Sequence, residues 1–306
     1  MYALLMALIL VAHAGGSIYG FEGTNSLEAL EESAALGFRY IEVDFIPTSD
    51  GHIVLNHSWY HVSNRIPGVR NGIMTHAEFM SHRIDGRFTP MDLPMLIDFL
   101  RNNPGIRVIT DTKDDDYAAL YAIARDFPLH RHRFLPQAYC FNDVARLRAL
   151  GFWQVIVTVY RSEWMNYPER LGELAAEHNV YALAIPDFMA EYVDASSARF
   201  FVHTIDCMER AYMLSQLGFY GIYTGHLGRP WQEAPELMPF VSPLTGDRYV
   251  LARPILDVAS EYDWQAETGT LHMQFGGRSY TLRMNYGLFL YRDRLFIAER
   301  RLNVHD

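Results

Sequence analysis

Three acidic residues and one lysine stand at the ends of two short apolar segments. Glu42 and Asp44 are two residues apart in the first segment. Asp111 and Lys113 have the same spacing at the end of the second. Side chains at i and i+2 of a strand share a face, so the two side chains of each pair should point in the same direction. Carboxylate oxygens suit Mg²⁺ or Ca²⁺, and an ammonium adds a compact positive charge. These residue types indicate metal-assisted chemistry on a phosphate.

Histidines end three other apolar segments. His13 precedes Gly15 and Gly16, His57 follows the short run at residues 53–55, and His203 ends a run near residue 200. With an ordinary pKa near 6.5, a histidine can accept a proton from an attacking hydroxyl or donate one to a leaving alkoxide at neutral pH. Any one histidine alone is more often a packed or surface residue, and it is the neighbouring acids that make His13 and His57 candidates for catalysis.

The composition narrows the class of partner. The formal net charge is −10, which argues against a nucleic-acid surface. Lys113 is the only lysine among 26 basic residues. An acidic chain acting on an anion needs a local positive centre, which a divalent cation and Lys113 would supply. Cys140 and Cys207 are too few and too far apart to define a disulfide framework or a zinc site, and we expect both to be small buried residues.

Alternating strands and helices predict a parallel barrel. Helical spacing follows each apolar segment, with helices expected at 117–126, 142–150, 169–178 and 208–217. Eight strands over about 225 residues predict a (β/α)8 TIM barrel, whereas a doubly wound open sheet is the alternative. In a barrel the carboxyl ends of the strands meet at one face, so the candidate side chains should converge there. The expected strands end at His13 and span 40–45, 108–111, 134–138, 155–159, 181–185, 200–204 and 221–224.

Both ends of the chain differ from the barrel pattern. Residues 1–12 are apolar but lack a positive amino-terminal region and are too short to span a bilayer, so we interpret them as a leader into a buried first strand and leave export open. We predict a barrel over 1–232 and a small β-rich module over 240–306. Within the module, Asp263–Leu271 is similar to a repeat named after the amino-terminal domain of copper amine oxidases. That module occurs in exported bacterial proteins, and the similarity implies no copper.

The barrel region resembles the glycerophosphodiester phosphodiesterase family. The family pattern His-Arg-Gly-Gly corresponds to His13-Ala14-Gly15-Gly16, and Glu-Asn-Thr-Leu-Glu-Ala-Phe corresponds to residues 24–30. A longer family pattern, Gly-x-x-x-Ile-Glu-x-Asp-Val-x-x-Thr-x-Asp-Gly-x-x-Val-x-x-His-Asp, matches residues 37–58 without a gap. The resemblance implies a metal-dependent phosphoric diester hydrolase with a TIM-barrel fold.

The resemblance also implies a role for individual residues. His13 and His57 are the expected general acid and base, and one divalent cation, Mg²⁺ or Ca²⁺, would be held by Glu42, Asp44 and Asp111. Lys113 and His203, the latter where the family has tryptophan, are expected to bind substrate. Three departures bear on the substrate: the family has arginine, glutamate and aspartate at the positions of Ala14, Thr24 and Gly225.

Three functions are compatible with these residues. The first is hydrolysis of a glycerophosphodiester or a related phospholipid head group, with a small phosphodiester or a lysophospholipid as substrate. The second is a barrel that has lost catalysis and serves as a surface binding module. The third is a lyase that releases a cyclic phosphate, as in the sphingomyelinase D branch of related barrels, which the Asp-x-Lys spacing of Asp111 and Lys113 resembles. No nucleic acid partner is expected, and the sequence leaves the oligomeric state open.

Overall fold

The structure, a computed structural model, describes most of the barrel region and parts of the carboxyl-terminal region. Residues 1–7 and Lys113 lie outside the described residues, and so does the segment 226–239. The described residues are 8–66, 69, 72–112, 117–160, 162–225, 240–241, 248–251, 256, 259–265, 268, 270–275, 278–284, 287–291 and 294–298.

Eight parallel strands close into a barrel, as predicted. The barrel order is β1-β2-β4-β5-β6-β7-β8-β9, and β1 pairs with both β2 and β9 to complete the ring. Strand β3 lies outside the ring and pairs antiparallel with β2. The strands are β1 Ile9–Ala12, β2 Tyr40–Pro47, β3 Ile53–Leu55, β4 Arg107–Thr112, β5 Phe134–Ala138, β6 Ile156–Thr158, β7 Ala182–Pro186, β8 Phe200–His203 and β9 Gly221–Thr224.

Helices follow the strands and cover the barrel. The predicted helices are all present, with bounds that differ by a few residues at most. In addition, α2 and α3 lie in the segment 58–90, where no helix was among those predicted. Both begin at a residue whose side chain accepts a backbone N–H, Ser58 for α2 and Thr75 for α3, as is common at helix amino termini. Within the described residues the helices are α1 Leu27–Ala35, α2 Trp59–Arg65, α3 His76–Ser81, α4 Leu93–Asn102, α5 Ala118–Asp126, α6 Asp143–Ala149, α7 Leu171–Glu177 and α8 Met208–Gln216.

Alternation along the strands separates the helical layer from the barrel interior. In β2, Ile41, Val43 and Phe45 are buried in the large core beneath the helices. A second core cluster takes alternate residues of the other strands, such as Val11 and Ile109, and fills the barrel. Because side chains alternate along a strand, Glu42 and Asp44 face the interior at the carboxyl end of the barrel.

The prediction for the two cysteines is wrong. Cys140 is exposed and Cys207 is partly exposed. Each follows the carboxyl end of a barrel strand, Cys140 after β5 and Cys207 after β8. Both therefore lie in connections at the barrel mouth, where the chain passes over the surface, and not in a packed element.

A predominantly antiparallel sheet occupies the carboxyl-terminal region. Its seven strands are ordered β10-β11-β16-β15-β14-β13-β12, and its described core includes Leu271, Met273, Leu282 and Ile297. None of the described helices is long and apolar enough to cross a membrane. The strands are β10 Phe240–Val241, β11 Arg248–Leu251, β12 Glu261–Gln265, β13 Thr270–Phe275, β14 Arg278–Met284, β15 Gly287–Tyr291 and β16 Arg294–Ala298.

Candidate active site

Three buried carboxylates meet at the mouth of the barrel. One oxygen each of Glu42, Asp44 and Asp111 lies within 4.8 Å of the others. The parallel register of β2 and β4 places Asp44 directly beside Asp111, and Glu42 one inward position deeper, beside Ile109. The three residues are only 2%, 3% and 7% exposed. Buried acids this close repel one another unless a cation lies between them, and oxygen donors of this kind suit Mg²⁺ or Ca²⁺.

Neutral donors orient two of the carboxylates. The backbone N–H of Ala14 donates to Glu42 Oε2 at 2.7 Å. The Asn25 amide donates to Asp44 Oδ2 at 2.9 Å, and Asn25 Oδ1 accepts the backbone N–H of Asp44 at 3.0 Å. Asn25 is buried and adopts a left-handed conformation with φ of 50°, which asparagine tolerates better than most residues. The next residue, Ser26, caps α1, and Asn25 serves the site.

The two candidate histidines follow strands that both pair with β2. His13 follows β1, and its Nε2 is 3.9 Å from Glu42 Oε2, with about half of its side chain exposed. His57 is partly buried two residues after β3, with its ring centroid 4.4 Å from that of His61. The backbone N–H of Asn56 donates to the Asp44 carbonyl at 3.1 Å, which holds the residue before His57 against the end of β2.

Aromatic residues form the opposite side of the mouth. We call Tyr139, Tyr160, His203 and Tyr223 the aromatic wall. The rings of Tyr139 and Tyr160 are 5.6 Å apart, those of Tyr160 and His203 are 5.4 Å apart, and those of His203 and Tyr223 are 6.1 Å apart. Each adjacent pair meets edge to face, a favoured geometry for aromatic rings. The wall reaches Asp111 through Tyr139, whose hydroxyl donates to Asp111 Oδ1 at 2.5 Å.

Burial keeps the aromatic wall uncharged. Burial, together with the charge of the nearby His13, lowers the pKa of His203 to about 4, so His203 is neutral at pH 7. Burial also raises the pKa of the Tyr139 phenol, with the charge of Asp111 acting in the same direction. Among the described residues, His203 Nε2 is buried without a hydrogen-bond partner.

The three departures from the family pattern occupy defined positions. Ala14 is buried and contributes its backbone N–H to Glu42. Thr24 is buried, with its hydroxyl 2.9 Å from that of Ser26. Gly225 donates its backbone N–H to Asp206 Oδ1 at 2.7 Å, and Thr224 donates its hydroxyl to the same oxygen. The structure thus uses these positions to hold loops at the mouth.

Lys113 lies outside the described residues. The sequence did not single out Tyr139 or Tyr223. Alternate side chains of β5, Leu135 and Gln137, point into the barrel, and Tyr139 is the next residue in that series. Tyr139 therefore lies on the interior face. That alternation was the available signal, but it does not tell which neighbouring strand the hydroxyl meets.

Residues 13–126 match the model of the glycerophosphoryl diester phosphodiesterase family. The predicted resemblance to this family is confirmed over that segment. The predicted class of enzyme, phosphoric diester hydrolase, is that of the matched family. The matched segment carries both candidate catalytic histidines and all three carboxylates, whereas His203 lies beyond it. No curated protein sequence is a significant match to the chain.

Solved structures of glycerophosphodiester phosphodiesterases share the fold. A *Parabacteroides distasonis* enzyme superposes with a TM-score of 0.58 at 14% identity, covering 79% of this chain and 94% of its own. A *Thermotoga maritima* enzyme has a TM-score of 0.56 at 18% identity, covering 71% and 94%. An *Oleispira antarctica* phosphodiesterase in complex with its product sn-glycerol-3-phosphate has a TM-score of 0.55 at 17% identity, covering 72% and 94%.

Proposed function

We propose that the protein is a metal-dependent phosphodiesterase that hydrolyses a glycerophosphodiester or a related phospholipid head group. The observation that carries the proposal is the cluster of three buried carboxylates within 4.8 Å, with His13 beside it at the barrel mouth. The product bound by the *Oleispira antarctica* protein supports a small glycerol-containing substrate.

The carboxylate cluster fits one divalent cation. Glu42, Asp44 and Asp111 supply only oxygen donors, and Ala14 and Asn25 occupy other electron pairs of two of them. This arrangement suits Mg²⁺ or Ca²⁺, which take carboxylate oxygens and leave positions for water or substrate oxygens. When bound, the cation supplies positive charge that stabilises the negative charge developing on the phosphate oxygens.

The histidines supply the proton transfers. One of the pair His13 and His57 removes the proton from the attacking water as the new P–O bond forms. The other donates a proton to the oxygen of the leaving alcohol as the old P–O bond breaks. Histidine suits both transfers because an imidazole can accept or donate a proton near neutral pH.

Substrate binding falls to neutral and positive groups around the cluster. His203 presents a neutral imidazole whose buried Nε2 can bind a hydroxyl or a phosphate oxygen of the substrate. Lys113, two residues after Asp111, supplies positive charge toward the phosphate. Because alanine occupies position 14, no arginine reaches the substrate from there. Binding of the phosphate therefore depends more on Lys113 and the cation.

A substrate panel tests the proposal. The full chain should hydrolyse at least one member of a panel of glycerophosphodiesters and lysophospholipids with Mg²⁺ or Ca²⁺, and EDTA should abolish the reaction. Phosphorus NMR separates hydrolysis, which yields a monoester, from a lyase reaction, which yields a cyclic phosphate. Absence of turnover with every substrate and both cations would favour a non-catalytic binding module.

We propose further that residues 1–232 form the catalytic domain and residues 240–306 a separate β-rich module. The change from alternating strands and helices to short strands alone supports this division. Limited proteolysis should cut between the two regions first and leave an active fragment of the barrel. Loss of all activity upon that cleavage would contradict the division.

A further inference from the structure

Tyr139 and Tyr160 form a hydroxyl pair that ends on a proposed metal ligand. They follow the neighbouring strands β5 and β6, and their hydroxyl oxygens are 3.0 Å apart. The Tyr139 oxygen is 2.5 Å from Asp111 Oδ1. Both side chains are partly buried, so these polar contacts are largely shielded from bulk water. Such shielding makes a hydrogen bond electrostatically stronger.

The protons of this pair have one consistent arrangement. An ionised carboxylate only accepts hydrogen bonds, and a phenol has a single proton to donate. Tyr139 therefore donates to Asp111, and its oxygen accepts the proton of Tyr160. Both O–H groups then point along the chain toward the carboxylate, and each hydrogen bond polarises the next.

The other two carboxylates are also held by neutral donors from adjacent elements. Ala14 N–H fixes Glu42 Oε2, and the Asn25 amide fixes Asp44 Oδ2. We propose that Tyr139 is the corresponding positioning residue for Asp111: it holds Oδ1 and thereby keeps the carboxylate turned so that an oxygen serves the same cation as Glu42 and Asp44. Tyr160 orients the Tyr139 hydroxyl. The inference rests on the proposed metal-dependent function.

The barrel contains a matched pair at its opposite end. Tyr181 precedes β7 and Tyr220 precedes β9, and their hydroxyls are 2.8 Å apart. These two tyrosines are partly buried as well, but the charged group that the structure places against their rings is the guanidinium of Arg199, 5.1 Å from the centre of the Tyr181 ring. Tyr181→Phe therefore removes a similar paired hydroxyl far from the carboxylates.

Metal affinity tests the role of Tyr139 directly. Dissociation constants for Mg²⁺ and Ca²⁺ would be measured by isothermal titration calorimetry on the full chain. Tyr139→Phe keeps the ring and removes the donor, and it should weaken cation binding about 10–100-fold, the usual loss for a group that orients a metal ligand. Tyr160→Phe should weaken it less, because Tyr160 acts through Tyr139. Tyr181→Phe should bind the cations as the wild type does.

The thermal unfolding of each metal-free variant distinguishes positioning from general stabilisation. If Tyr139 were only structural, Tyr139→Phe would lower the melting temperature without metal, as is expected of Tyr181→Phe, and leave the cation affinity unchanged. Wild-type affinity in folded Tyr139→Phe would overturn the inference and leave the proposed function standing. A wild-type chain that binds neither cation would overturn both. If Tyr139→Phe does not fold, Tyr160→Phe decides by the same comparison.

Discussion

The two sides of the barrel mouth differ in charge although they are built alike. On one side, β2 and β4 present the carboxylates of Glu42, Asp44 and Asp111 to the interior. On the other, the aromatic wall presents Tyr139, Tyr160, His203 and Tyr223 from the ends of β5, β6, β8 and β9. Both sides use inward positions at strand ends. What separates them is whether the side chain carries charge at neutral pH.

This difference indicates a division of labour. The charged side concentrates negative potential at one point, which suits a cation that activates a phosphate. The uncharged side offers ring faces and polar atoms without another fixed charge, which suits the alcohol portion of a phosphodiester. We therefore expect changes on the charged side to affect turnover, and changes on the aromatic wall to affect binding, metal affinity and pH response.

The double substitution Glu42→Gln/Asp44→Asn removes the difference between the two sides and should have the largest effect. Without two of three carboxylates the cation is lost, so hydrolysis should fall to background with either Mg²⁺ or Ca²⁺. The metal-free variant should be at least as resistant to urea as the metal-free wild type, because two mutually repelling buried charges are gone. Retained activity would show that these carboxylates hold no catalytic metal.

His13→Ala and His57→Ala test the proton transfers beside the charged side. Each should lower kcat by ~10²–10⁴-fold, as expected for loss of a general acid or base, and leave the circular dichroism spectrum unchanged. His61→Ala is the control, because its ring lies 4.4 Å from that of His57 but it is exposed and has no assigned role. A His57→Ala enzyme as active as His61→Ala would exclude His57 from catalysis.

Substitution of Lys113 asks whether the charged side needs a compact cation. Lys113→Met should lower kcat by ~10²–10³-fold, the usual loss when one electrostatic donor to the transition state is removed. Lys113→Arg should recover only part of this loss, because the planar guanidinium is bulkier and directs its donors differently. Steady-state kinetics on the best substrate provide the measurement. Full turnover by Lys113→Arg would mean that the chain needs only positive charge there.

The smallest expected effect concerns His203 and the uncharged state of the aromatic wall. In the folded protein the pKa of His203 is about 4, below the ordinary value for histidine near 6.5. The unfolded chain therefore binds more protons between these values, and stability should fall as the pH drops from 6.5 to 4. This loss in the free energy of unfolding is about 3 kcal/mol. His203→Phe keeps a ring in the wall and should reduce this slope in urea unfolding at a series of pH values. A slope identical to that of the wild type would assign the pH dependence to other groups.

The fold was predictable because the barrel strands are buried on both faces. Strands such as β7 form continuous apolar runs between helices of regular spacing, and that pattern is typical of parallel barrels. The segment 58–90 was harder, since α2 and α3 are short and their apolar faces contain few residues. Their capping residues, Ser58 and Thr75, were visible in the sequence but could equally have belonged to turns.

The candidate site was predictable only in part, because local spacing in the sequence predicts some of its contacts and not others. The spacing of Glu42 and Asp44 predicts that they share a face, and the parallel register then sets Asp44 beside Asp111. The contacts of Asn25 and Tyr139 join residues 19 and 28 positions apart in the chain. Such contacts depend on the closed barrel and on a left-handed backbone at Asn25, and no local spacing encodes either.

The closure of the barrel has a consequence for how the chain is made. All three carboxylates and both proposed catalytic histidines precede residue 112, so they leave the ribosome early. Strand β9, which pairs with β1 over Ile9–Ala12, emerges only after residue 220. The hydrogen bond from Ala14 to Glu42 spans the seam between β1 and β2. A nascent chain stalled before Gly221 should therefore already contain every proposed ligand, while its first strand lacks one of the two neighbours that fix it. Cation affinity of ribosome-bound chains of increasing length would report when the ring closes.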